Sequence, residues 1–114
     1  AFALHGALVV ATPLALTDRN RATLAAALPA FSLTLRREGT VVDTGVGANV
    51  LDSPALALAH LAGVLARQPQ FPPLAAGEIV TTGTVTDAWP VAPGETWTSD
   101  YGALGLPGIT LTFG

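Results

Sequence analysis

The chain has 114 residues, 50% of them hydrophobic and 11% charged, with a net charge of −3; that suits one compact domain and argues against a disordered chain. All five basic residues are scattered Arg, so no basic stripe exists to neutralise phosphates, and nucleic acid is not an expected partner. The absence of Cys removes disulfides, thiolate metal sites and thiol nucleophiles together.

The opening AFALHGALVVATP is apolar without a basic start and reads poorly as a signal peptide. With no Met in the chain and an apolar run already at residue 1, the expectation is that the chain begins inside a larger domain. Leu8 to Ala11 reads as a short buried strand ended by Thr12-Pro13. Thr17-Asp18 offers a cap for a short helix to about Leu28, where Pro29 stops it. Phe31, Leu33 and Leu35 alternate with Ser32, Thr34 and Arg36, the pattern of a strand with one wet face. Glu38-Gly39 then turns the chain into a second strand from Thr40 toward Gly45-Val46-Gly47, forming a hairpin.

Asp52-Ser53-Pro54 is the strongest helix start, because Ser53 can cap free N–H groups and Pro54 fits the first helical position. The helix runs to about Arg67, with Leu58, Leu61 and Leu65 on one face and Ala55, Ala59 and Ala62 small enough for close packing against a sheet. Its apolar stretch, Leu51 to Val64, is shorter than the ~20 residues that span a bilayer, so no membrane helix is expected. Glu78 to Thr82 reads as a strand, Ala92-Pro93-Gly94-Glu95 as a type II turn, Thr96 to Tyr101 as its returning strand and Ile109 to Phe113 as the last strand. The expected class is β-rich α+β with one main helix.

Few residues announce chemistry. His5 and His60 have no partner at metal spacing and read as structural. Seven of the eight carboxylates sit beside turn-forming residues, and none forms an evident acid and base pair; Asp87, after the Thr-Gly pair, is a candidate to face a pocket. Gly45-Val46-Gly47-Ala48-Asn49 lacks the phosphate-loop lysine, and close backbone packing explains its glycines better. Ser32, Ser53 and Ser99 lack the nucleophile elbow.

The runs TGVGANVLDSPALALAHLAGVLA (44–66) and LAAGEIVTTGTVTDAWPVAPGE (74–95) resemble the C-terminal part of the 2-keto-4-pentenoate hydratase and 4-oxalocrotonate decarboxylase branch of the fumarylacetoacetate hydrolase superfamily. Gly45, Gly47, Leu51, Pro54, Leu61, Ala62, Gly77, Glu78, Thr82, Gly83, Pro93, Gly94 and Glu95 carry the resemblance. It implies a mixed β roll, incomplete at its N-terminal side, so that residues 1–114 are the C-terminal portion of a catalytic domain.

The implied activity is hydration or decarboxylation of small 2-keto or 2-hydroxydienoate acids. Mg2+ or Mn2+ would chelate the substrate and stabilise its enolate in the complete enzyme. The resemblance places the metal carboxylates and the catalytic lysine before Ala1, so these residues alone are expected to bind no ion and to supply no catalytic group. Its implied substrate contacts are Thr82, Gly83 and, at the pocket edge, Asn49, where hydroxyl, amide and backbone N–H groups suit an anionic carboxylate; the alternatives are a plain strand-to-loop corner at Thr82-Gly83 and a turn role for Asn49. Asp52-Ser53 departs from the family's usual Gly followed by His or Asn and adds a negative charge near the pocket edge. A cytoplasmic homo-oligomer is expected; the alternative is a non-catalytic scaffold or interaction module that keeps the fold without the metal centre.

Overall fold

A computed structural model describes residues 6–114; His5 lies outside them. Four strands, β1 (Ser32–Arg37), β2 (Thr40–Val46), β3 (Thr96–Asp100) and β4 (Thr110–Thr112), form one sheet in the order β2-β1-β3-β4. Every pairing is antiparallel. Two α-helices, α1 (Arg21–Ala27) and α2 (Pro54–Ala66), and 3-10 turns at Gly47–Asn49 and Gly102–Leu104 complete the regular structure. The α+β class with one main helix is as expected.

Local chemistry accounts for the joints. Glu38 and Gly39 both take positive φ (49° and 77°), the mirror-image turn whose twist matches a two-residue hairpin. Glu38 also ties this turn to β3, since its N–H donates to Thr96 O at 2.9 Å and its Oε1 accepts from Thr96 N at 2.6 Å. At the Pro93-Gly94 turn, Glu95 N donates to Ala92 O at 3.3 Å and Gly94 takes φ 83°, as a type II turn requires. The strand that returns from it pairs with β1 and β4.

Leu33, Val50 and Trp97 are the buried apolar side chains among the described residues. Arg37 extends over the Trp97 ring, with Cζ 5.8 Å from the centroid, and faces Glu95 at 3.6 Å. Much apolar surface stays in solvent: Leu16 is 69% exposed and Ile79 70%.

Three expectations are corrected. Residues 8–11 and 78–82 join no strand ladder among the described residues; Leu8 to Ala11 and Ile79 to Thr81 line a common apolar groove of about 470 Å³ with Tyr101 and Leu106. β-branched runs realise their preference only when a ladder receives their N–H and C=O groups, and no backbone N–H from Ile79 to Thr86 donates to an oxygen among the described residues.

The second correction concerns α1, whose cap is Asn20, not Thr17-Asp18; Asn20 uses its side chain outside the helix, accepting from Thr17 N at 2.8 Å and donating to Ala15 O at 3.0 Å.

The third concerns α2. Ser53 caps it as expected, with Oγ accepting from Ala55 N at 3.2 Å, but the helix buries no residue and its alanines have no extensive contact with the sheet. A helix apolar on every side has no polar face to orient it. The apolar stretch Gly47–Ala66 reaches 20 residues, yet positive φ at Leu51 (48°) and Asp52 (67°) divides it. The continuous α-helix has 13 residues and is therefore about 20 Å long, against about 30 Å of bilayer hydrocarbon.

Candidate functional site

Gly45 and Gly47 let the backbone of β2 and its following turn come close to neighbouring segments. A Cβ on Gly45 would stand 2.1 Å from Val85 O, and one on Gly47 would stand 1.7 Å from Leu28 O. Only hydrogen fits at either position. The segment after Thr82-Gly83 thus lies directly on β2, and a polar cavity of about 460 Å³ opens there, lined by Asp43, Thr44, Asn49, Thr84, Val85, Thr86 and Asp87.

Thr82 is half-buried and Gly83 exposed. Gly83 takes φ 128°, a conformation that L side chains avoid, whereas a Cβ there would meet only Val50 Cγ1, at 3.5 Å. Conformation therefore demands this glycine. Asn49 Nδ2 donates to Val85 O at 3.0 Å, across 36 residues of sequence, so the amide expected to meet a ligand also bridges two backbone segments. Gly83 lies beside Val50, but neither Thr82 nor Gly83 lines the polar cavity that Asn49 lines. Asp52 is exposed and lines neither the polar cavity nor the apolar groove.

Two residues that sequence reasoning passed over organise the cavity. Asp43 Oδ2 accepts from Asp87 N at 3.1 Å and from Trp89 Nε1 at 3.0 Å, while Oδ1 accepts from Thr44 N at 2.7 Å. The Trp89 indole N–H holds the Asp43 carboxyl below the usual carboxylate range; partial desolvation opposes it, and the N–H groups of Asp87 and Thr44 assist. The available signal was a carboxylate inside a β-branched run, where Asp is disfavoured. Asp87, the carboxylate expected to face a pocket, does line this cavity.

Among the described residues, no three or more His, Asp or Glu side chains converge to hold a metal ion. The polar lining of the cavity is two carboxylates, Asp43 and Asp87, the hydroxyls of Thr44, Thr84 and Thr86, and the Asn49 amide.

No protein-family model matches the chain. It is 40% identical over 77 residues to a 4-oxalocrotonate decarboxylase of Pseudomonas sp. (strain CF600), covering 68% of this chain and 28% of that protein. It is also 40% identical over 75 residues to a 2-oxo-hept-4-ene-1,7-dioate hydratase of Escherichia coli, covering 66% and 27%. The solved 4-oxalocrotonate decarboxylase from Pseudomonas putida G7, complexed with magnesium and adipate, aligns with a TM-score of 0.65 at 36% identity, over 75% of this chain and 31% of that one. Over that part of its length the chain is a homologue of these 4-oxalocrotonate decarboxylases and of this 2-oxo-hept-4-ene-1,7-dioate hydratase. It spans less than a third of the length of these relatives.

Proposed function

We propose that this chain supplies part of the substrate pocket of a divalent-metal-dependent hydratase or decarboxylase acting on small 2-keto or 2-hydroxydienoate acids. The observation that carries the reading is the 40% identity to both a decarboxylase and a hydratase of 2-oxo acids. The solved relative, with its magnesium and dicarboxylate, supports a divalent ion in the complete enzyme and an anionic ligand. The ion's ligands lie outside the cluster described above, so the work of this stretch is positioning. The Thr82 hydroxyl and the N–H groups of Thr82, Gly83 and Thr84 receive a substrate carboxylate, with Asn49 at the edge.

The same reading places the 114 residues in the C-terminal portion of a catalytic domain that closes into the family's mixed β roll. It also makes the protein a cytoplasmic homo-oligomer; the exposed Leu16 and Ile79 support the association alone.

The test is turnover. The protein carrying this chain is assayed for loss of ultraviolet absorbance of a 2-hydroxydienoate or an unsaturated 2-oxo dicarboxylate with Mg2+, with and without EDTA. Magnesium-dependent loss is expected, with kcat/KM lowered about 10- to 100-fold in Thr82→Val by removal of one hydrogen bond to a charged group. Loss of neither substrate with Mg2+ or Mn2+ would overturn the proposal in favour of a non-catalytic module.

A further inference from the structure

We propose that Asp43 is a positioning residue whose carboxylate clamps the segment 85–89 onto β2 and thereby sets the Thr82–Thr84 N–H groups for a substrate carboxylate. The function assigned to those N–H groups rests on the reading above; the clamp itself rests on geometry alone.

The β1–β2 ladder is irregular beside Asp43. Leu35 pairs with Asp43, but Arg36 pairs with Val41, so Val42 is an extra residue in the ladder. Such a bulge twists a strand and re-aims the side chains beside it. Here the neighbouring side chain is Asp43, and it reaches residues 44 and 46 positions away in sequence.

All three groups on the Asp43 carboxylate are N–H donors: Thr44 N, Asp87 N and Trp89 Nε1. Only a side chain with acceptors at both terminal atoms satisfies them together, and an ionised carboxylate is one. Its asparagine isostere turns one of those atoms into a donor and sets N–H against N–H, in either flip of the amide. The site therefore selects for charge and not merely for size.

Between Ile79 and Thr86 no backbone N–H is tied to an oxygen among the described residues. The loop bearing Thr82-Gly83 is instead held from its C-terminal side, by Asn49 on Val85 O and by Asp43 on Asp87 and Trp89. Asp43 supplies two of those three ties, and hydrogen bonds to an ionised acceptor are the stronger kind.

The test uses Asp43→Asn and Trp89→Phe in the protein carrying this chain, with two readouts. The first is independent of turnover: the amide resonances of residues 82–87 and the Trp89 indole N–H in a 15N-resolved spectrum. Asp43→Asn is expected to move the indole N–H upfield and to shift the Thr82, Gly83 and Thr84 amides; Trp89→Phe, which leaves Asp43 charged, is expected to shift the same amides less. The second readout is kinetic, with KM expected to rise about tenfold in Asp43→Asn and kcat to change less than threefold, as when a binding geometry is lost without loss of a chemical group.

An unmoved indole N–H in Asp43→Asn overturns the clamp whatever the protein catalyses. A moved indole with unmoved 82–84 amides and unchanged KM overturns the positioning role. If the wild-type protein turns over no 2-keto acid, the functional reading fails separately, and Asp43 is judged by whether adipate shifts the 82–84 amides in the wild type and fails to in the variant. If Asp43→Asn does not fold, Trp89→Phe decides, because unshifted 82–84 amides in that variant contradict the clamp.

Discussion

Substituting Gly45 by alanine is the sharpest test of how the polar cavity is built. The new Cβ would stand 2.1 Å from Val85 O, 2.8 Å from Val85 C and 2.9 Å from Val85 Cγ1. The first two are backbone atoms, so no rotamer change relieves them, and the 85–89 segment must retreat by about 1 Å. Overpacking of this kind costs about 1–3 kcal/mol. The same oxygen accepts from Asn49 Nδ2 at 3.0 Å, and losing that bond adds about 1 kcal/mol. The expected destabilisation is therefore about 2–4 kcal/mol, read as the shift in urea unfolding followed by tryptophan fluorescence. Gly6→Ala, whose Cβ would meet nothing within 4 Å, is the control and should be near neutral. A Gly45→Ala protein within about 0.5 kcal/mol of wild type would refute the close approach.

Other outcomes follow from single contacts. Ser53→Ala removes a buried cap whose Oγ accepts from Ala55 N at 3.2 Å and should cost about 1 kcal/mol, with far-ultraviolet circular dichroism reporting loss at α2. Gly83→Ala forces a side chain into φ 128° and should cost about 1–3 kcal/mol of local strain, seen as faster amide exchange across 82–86. Asp43 has its folded pKa lowered, first by the Trp89 indole, so its stabilisation is fully present above the unfolded value and is lost as pH falls through the folded one. Acid titration of the Trp89 indole N–H should thus show a midpoint below the ordinary aspartate range; Asp87 is the other titratable group lining that cavity. An apolar-surface dye should fluoresce strongly with the native chain without denaturant, because Val10, Leu16 and Ile79 are each at least 60% exposed.

What was legible in the sequence is what depends on neighbours along the chain. Glu38-Gly39, Ser53-Pro54 and Pro93-Gly94 each set a backbone conformation by their own chemistry, and each stands where it was read. The runs at 8–11 and 78–82 have the composition of strands, but strand formation depends on a partner's hydrogen bonds, which composition does not report. The lie of α2 was equally hidden, because its leucines and alanines leave no polar side to mark the outward face.

Within the site, Gly83 was visible through its Thr-Gly pair, and the glycines of 45–47 through their density. The Asp43 clamp was not, since its partners lie more than forty positions away. Only the oddity of a carboxylate among Val41, Val42 and Thr44 hinted at it.

On the proposed function, the Thr82–Thr84 backbone receives a substrate carboxylate. Titrating the 15N-labelled protein with adipate in the presence of Mg2+ and following amide shifts reads that contact. Saturable shifts are expected at Thr82, Gly83, Thr84 and the Asn49 side-chain amide, weakened in Thr82→Val. Saturable binding that leaves those four signals still and moves others would contradict it.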